Sequence, residues 1–171
     1  MEGQRRDVFI ISLIRRHGVV TSDLVQLAIG HEQFDLPGES RAAVLNRLTA
    51  LADKVYLHRL GRTKTGHIAY GTRRPRKGSQ PQIEHDLIGA RFGVHLDIGL
   101  AGCGLSITEL VSDQAELRRM AQEWKFVPDR TFTLKGVRYF CEWDNDTEGD
   151  DRIRQKIEAY KSYVRRERQR K

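Results

Sequence analysis

Cysteine is nearly absent: Cys103 and Cys141 are the only two in 171 residues, and neither stands in a Cys-x-x-Cys or Cys/His spacing. A disulfide framework and a zinc finger are thereby excluded, and a reducing cytosol is the expected compartment. No apolar run approaches the ~18 residues that a membrane-crossing helix needs. The segment around Arg5-Arg6-Asp7 carries no signal-like apolar stretch ending in small residues. A cytoplasmic protein without a membrane partner is expected. Nucleotide chemistry also lacks its marks, because Gly99-Leu100-Ala101-Gly102-Cys103-Gly104 has no Lys-Ser/Thr and reads as a flexible connection. No Ser/His/Asp arrangement is evident, and His85 beside Asp86 or His95 near Asp97 is a weak metal signal.

What the chain has is positive charge, placed unevenly. Before Gln80 there are 14 basic and 7 acidic residues, and from there on 16 and 16, so the whole net charge of +7 belongs to the first part. With a sequence pI near 9.7, this asymmetry points to a polyanionic partner, most simply nucleic acid. At 39% hydrophobic residues the chain can bury a core, and two small domains fit its length.

The first part reads as three helices and a hairpin. Ile10, Leu13 and Ile14 lie on one helical face that breaks at Gly18, a glycine C-cap. Thr21-Ser22-Asp23 supplies a capping hydroxyl and an acid for a second helix through Leu24, Val25, Leu27 and Ala28, ending at Gly30. His31 to Gly38 reads as a loop, and from Glu39 the spacing of Val44, Leu45, Leu48, Leu51 and Ala52 predicts a third helix. Strands are expected at 55–60 and 68–71, around the basic tip Gly61-Arg62-Thr63-Lys64-Thr65-Gly66. This is the pattern of a winged helix-turn-helix over residues 1–72. In that arrangement Arg41, Asn46 and Arg47 on the third helix read bases, while Arg62 and Lys64 contact phosphates. Arg73, Arg74, Arg76 and Lys77 extend the same acid-free basic stretch into a linker at 73–81.

Residues 82–171 read as a small α/β domain. Ile83, Leu87 and Ile88 predict a helix to about Phe92, a strand is expected within 105–110, and Leu117, Met120, Ala121 and Trp124 mark another helix. A hairpin turning at Lys135-Gly136 follows, with its second strand running from Val137 to Asp144. The final helix, from about Asp150, places Ile153, Ile157, Tyr160 and Val164 on a stripe expected to pack on the sheet, and its end, Lys161 to Lys171, is strongly basic.

Alternation along a Val137–Asp144 strand would put Glu142 and Asp144 on one face, roughly 7 Å apart, with Asp129 joining from the neighbouring strand. Hard carboxylate oxygens so grouped are candidate Mg²⁺ ligands, and a metal held there activates water and neutralises charge on a phosphate. Glu84 is a candidate further carboxylate. Lys156, early in the final helix, is placed to supply a cation. The acidic run from Asp144 to Asp150 alternatively reads as a turn capping that helix, since it lacks the glycine position and spacing of an EF-hand loop.

Pro128-Asp129 and Glu142-Trp143-Asp144 resemble the two elements of the PD-(D/E)xK nuclease superfamily, with Asp144 standing where that motif has lysine. With His85-Asp86-Leu87, Thr147, and Lys156 with Tyr160, the chain more broadly resembles the replication-relaxation family of plasmids and other mobile elements, Arg130 standing where that pattern has glycine. The resemblance implies an α+β protein with an N-terminal winged helix and a nuclease-like domain. It further implies a DNA-binding accessory function in replication, relaxation or mobilisation, with double-stranded DNA and other replication or mobilisation proteins as partners. Two rival expectations are a Mg²⁺-dependent DNA nuclease using Asp129, Glu142, Asp144 and Lys156, and a homodimeric transcriptional regulator pairing through the final helix.

Overall fold

The structure, a computed structural model, describes residues 2–31, 40–73, 80–111, 114–143 and 149–170. Among these, six helices and two three-stranded antiparallel sheets make a mixed α+β chain. No helix among the described residues is long and apolar enough to cross a membrane. The chain divides into two compact units, Met1–Ile107 and Thr108–Lys171.

The first unit comprises α1 (Glu2–His17), β1 (Val19–Val20), α2 (Ser22–Ile29), α3 (Arg41–Asp53), β2 (His58–Arg62), β3 (Ile68–Gly71) and α4 (Gln80–Gly102). Helix α1 ends where expected: Gly18, at φ 89°, donates its N–H to Ile14 O at 2.7 Å, a left-handed closure that glycine enters without steric cost. Helix α3 starts behind Ser40, whose Oγ accepts the Ala43 N–H at 3.2 Å. The loop expected at His31–Gly38 lies, apart from His31, outside the described residues. The sheet order is β1-β3-β2, with a bulge in β2 between Arg59 and Gly61. Gly61 has φ 147°, and a Cβ there would come within 3.3 Å of Ile83 Cδ1; glycine thus permits both the bulge and the close approach of α4.

One core joins these elements: Ile10 and Ile14 of α1, Val25 of α2, Leu48 of α3, Tyr70 of β3, and Ala90 and Val94 of α4. Each buried Ile or Leu contributes about 1.5–3 kcal/mol. A smaller cluster packs Ile83 and Leu87 of α4 on Val19 and Ala69. Because α4 completes this core, the boundary falls at Ile107, not at the 73–81 linker expected from composition. Helix α4 also runs beyond Phe92 through Gly99-Leu100-Ala101-Gly102, which is therefore helix and not a flexible connection. Burial of Val94 and packing of Ile98 on the core outweigh the ~1 kcal/mol helix penalty of each glycine.

The second unit contains β4 (Thr108–Val111), α5 (Gln114–Trp124), β5 (Arg130–Leu134), β6 (Val137–Cys141) and α6 (Asp150–Gln169), with sheet order β4-β5-β6. The β5–β6 register pairs Arg130 with Cys141 and Leu134 with Val137. Lys135 (φ 49°) and Gly136 (φ 76°) form the intervening turn. Both left-handed residues give the two-residue turn that matches strand twist.

An aromatic cluster fills the space between sheet and helices. Trp124 meets Phe140 edge-on at 5.0 Å, Phe126 lies 4.2 Å from Tyr160, and Tyr163 lies 5.5 Å from Phe140. These contacts set the rotation of α6. Tyr160 and Tyr163 face the cluster, and Arg166 donates to Trp124 O at 2.9 Å, whereas Ile157 and Val164 are exposed. The expected stripe is thus corrected: only part of it packs, because the wide tyrosine rings fill the cavity better than a purely aliphatic face.

Candidate functional site

The basic residues of the first unit are distributed over α3, the β2–β3 hairpin and the chain beyond β3. Arg41, the first residue of α3, is exposed, and its Nη2 lies 2.8 Å from His67 Nε2. Guanidinium only donates, so Nε2 accepts and the Nδ1 proton faces Asp23 Oδ1, 3.1 Å away. Arg91 Nη2 of α4 approaches the other Asp23 oxygen at 3.7 Å. Burial opposes ionisation of Asp23, yet the nearby Thr21 hydroxyl and the His67 ring prevail and hold its carboxyl below the usual range. The start of α3 is thereby coupled to the hairpin, α2 and α4. Composition missed His67 and Arg91; the signal for His67 was its place beside the glycine-bounded tip.

Asn46 is exposed on α3, as expected. Arg47, expected to read bases beside it, is engaged within the unit: its Nε and Nη2 donate to the two oxygens of Asp7 on α1. This bidentate pair raises the Arg47 pKa, hydrogen bonding to Asp7 being the main cause. The pair ties α3 to α1.

At the hairpin tip, Arg62 Nη1 donates to Gly66 O at 3.0 Å, while Thr63 Oγ1 lies 2.9 Å from Thr65 Oγ1 and accepts the His67 N–H at 3.0 Å. These bonds shape the turn around the exposed Lys64 side chain. The Lys64 backbone N–H donates to Glu84 Oε1 at 2.5 Å, so Glu84 anchors the hairpin within the first unit. Arg73 is exposed after β3, and Arg74, Arg76 and Lys77 lie outside the described residues.

Asp97 is likewise engaged within the first unit, with Arg16 and not with His95. Arg16 Nε and Nη2 donate to its two oxygens at 2.7 and 2.8 Å, and His17 Nε2 lies 3.1 Å from Oδ2. Burial disfavours the charge, but these partners hold the Asp97 pKa at about 2. Arg16, His17 and Asp97 line, with Phe9, Leu13, Val94 and Ile107, an open cavity of about 410 Å³.

In the second unit, strand β6 ends at Cys141, so Glu142 follows the strand and alternation no longer places it. Asp144 lies outside the described residues. Glu142 is held from α6: Oε2 accepts from Lys156 Nζ at 2.8 Å and Oε1 from the Tyr160 hydroxyl at 2.5 Å. Burial first, then the Glu142 bond, push the Tyr160 hydroxyl far above the usual tyrosine range. Asp129 accepts the Trp143 N–H at 2.7 Å and donates its own N–H to Cys141 O at 3.0 Å. Arg130 is buried at the strand start opposite Cys141. Burial raises the Cys141 thiol to about 11; Arg130 opposes the shift, while Glu142 and Asp129 reinforce it. The cluster is therefore a mixed one, in which Arg130 and Lys156 accompany the two carboxylates.

A Mg²⁺ ion fits these described residues poorly. Both Glu142 oxygens are occupied by internal donors, and no group of three or more His, Cys, Asp or Glu suited to a metal occurs among the described residues. No family model, curated protein or solved structure matches the chain.

Proposed function

We propose that the chain is a DNA-binding accessory protein of the replication-relaxation type, serving a plasmid or mobile element, and that the first unit docks on duplex DNA as a winged helix. The order helix, strand, helix, helix, strand, strand, with sheet order β1-β3-β2, supports this reading. One observation carries it: exposed Arg41 at the start of α3 contacts His67 at the base of the hairpin that bears Arg62 and Lys64. A recognition helix and a wing are thus fastened to each other, so that base-edge and backbone contacts share one frame. Charge agrees. The first unit holds 15 basic and 10 acidic residues, net +5, and the second 15 and 13, net +2.

In this arrangement Arg41 and Asn46 face base edges, while Arg62, Lys64 and Arg73 neutralise phosphates. Selection of binding sites from random duplex, followed by binding measurements on Arg41→Ala, tests the assignment. Loss of preference at particular base pairs is expected. Unchanged preference removes α3 as the reading helix.

A second reading is phosphodiester cleavage at the Glu142 cluster: Lys156 places a cation 2.8 Å from Glu142, and a metal ion would have to displace Lys156 and Tyr160 from the two Glu142 oxygens. Its test is nicking of supercoiled plasmid with Mg²⁺ or Mn²⁺, comparing wild type with Glu142→Ala. Absence of metal-dependent nicking in both eliminates it.

A further inference from the structure

The open cavity of about 410 Å³ in the first unit falls within the ~300–1,000 Å³ range of small-molecule sites. Its lining follows from the way α4 ends. Gly104, at φ 67°, donates its N–H to Ala101 O at 2.9 Å, and the Leu105 N–H bonds Leu100 O at 2.8 Å. These are the paired bonds of a Schellman closure, which ends a helix by turning the chain back. Leu105 and Ile107 thereby join Phe9 and Leu13 of α1 and Val94 and Ala101 of α4 in an apolar lining. Small side chains, Ser12 on α1 and Ala101 on α4, take lining positions where larger ones would fill the space.

Polar groups converge on this apolar space. Arg16 Nε and Nη2 bind the two Asp97 oxygens at 2.7 and 2.8 Å, and His17 Nε2 stands 3.1 Å from Oδ2. With three nitrogens around its two oxygens, Asp97 offers little to a ligand ammonium, which would compete with donors already in place. Arg16 differs. A guanidinium carries five N–H groups in a fixed fork, Asp97 takes two of them, and the Arg16 side chain is 39% exposed. The bidentate grip of Asp97 also fixes the guanidinium plane. Ser12 and Ser106 add hydroxyl donors to the lining. We propose that this cavity binds a small monocarboxylate with an aliphatic or aryl body, its carboxylate meeting Arg16 and its body lying against Leu13, Val94 and Ile107. A cationic head would be repelled by Arg16, and a neutral head would forgo the charge-assisted bond. The site goes beyond the DNA reading and rests on the cavity alone, so either can fail without the other.

Isothermal titration calorimetry of the full chain at neutral pH, with octanoate as the probe, should give one site with a dissociation constant on the order of 100 µM. Octanol should bind about tenfold more weakly, lacking the charge-assisted bond, and octylammonium more weakly still. Arg16→Met should lower octanoate affinity about tenfold and leave octanol affinity unchanged. Ala101→Phe adds bulk to the lining while keeping Arg16, His17 and Asp97. It should abolish binding of both octanoate and octanol at an unchanged circular dichroism spectrum, and it decides the matter should Arg16→Met fail to fold. Absence of octanoate binding by wild type would overturn the proposal, as would octanol or octylammonium binding as tightly as octanoate. Full octanoate affinity in folded Ala101→Phe or folded Arg16→Met would overturn it too.

Discussion

Lys156 reaches back fourteen residues to hold one oxygen of Glu142 at 2.8 Å, and Tyr160, one turn further along α6, holds the other at 2.5 Å. The carboxylate thus ties the final helix to the end of the hairpin. Glu142→Ala should destabilise the second unit by about 1–3 kcal/mol, because it leaves the partly buried Tyr160 hydroxyl and the Lys156 ammonium without their acceptor. Lys156→Met should cost less than about 1 kcal/mol, since the pair is partly hydrated. Urea denaturation of both variants checks this. Equal costs would show that Tyr160 draws nothing from Glu142.

Arg47 offers a contrast with Arg41 on the same helix. Since Arg47 grips Asp7 of α1, Arg47→Ala should lower stability by about 1–2 kcal/mol. Base preference should persist. Arg41→Ala should do the opposite, leaving the melting temperature nearly unchanged. Thermal melts beside site selection separate the two roles, and relaxed specificity in a fully stable Arg47→Ala would return that residue to the DNA interface.

Helix α3 ends in a tight closure in which Tyr56 N–H bonds Leu51 O and Val55 N–H bonds Ala52 O, both at 3.0 Å. The pivot is Val55, at φ 65°, where helices usually place glycine. A β-branched residue there is strained, and at 67% exposure its side chain packs little in return. Val55→Gly should therefore raise stability by about 1 kcal/mol, the strain relieved exceeding the chain entropy added. Denaturant midpoints check the sign, and a lower midpoint would show that Val55 makes contacts that matter.

Acid should loosen the first unit through Asp97. Its folded pKa, about 2, lies below the ~3.9 of an unfolded aspartate. The stabilisation is complete above about pH 4 and disappears as pH falls toward 2. After discounting for hydration of Arg16, it amounts to about 1–2 kcal/mol. Asp97→Asn should flatten this part of the stability profile, whereas an unchanged profile would mean that Arg16 and His17 do not control the titration.

Where local chemistry decides, the sequence is readable. Gly18 ended α1 and Lys135-Gly136 turned the β5–β6 hairpin, because left-handed backbone has few residue choices. Tertiary competition was harder to read. The composition of residues 73–81 suggested a boundary, yet Ala90 and Val94 draw α4 into the first core. Ile157 and Val164 looked like an inward stripe, but the aromatic contacts of Tyr160 and Tyr163 turned them outward. At the carboxylate cluster, the Lys156–Glu142 approach was legible from helical spacing. Engagement of Glu84 by Lys64 was not, since no local pattern reports a contact with the hairpin tip. Nor does charge alone distinguish Arg47, bound to Asp7, from Arg41.

The most direct test of DNA docking is fluorescence anisotropy of a labelled duplex titrated with the full chain across a salt series. Wild type should bind with an affinity that falls steeply as salt rises, and Arg62→Ala/Lys64→Ala should lower the slope of log K against log salt by about 2, near 0.9 for each phosphate contact removed. Absence of duplex binding at low salt, or a slope identical in wild type and the double variant, would contradict docking through the hairpin and α3.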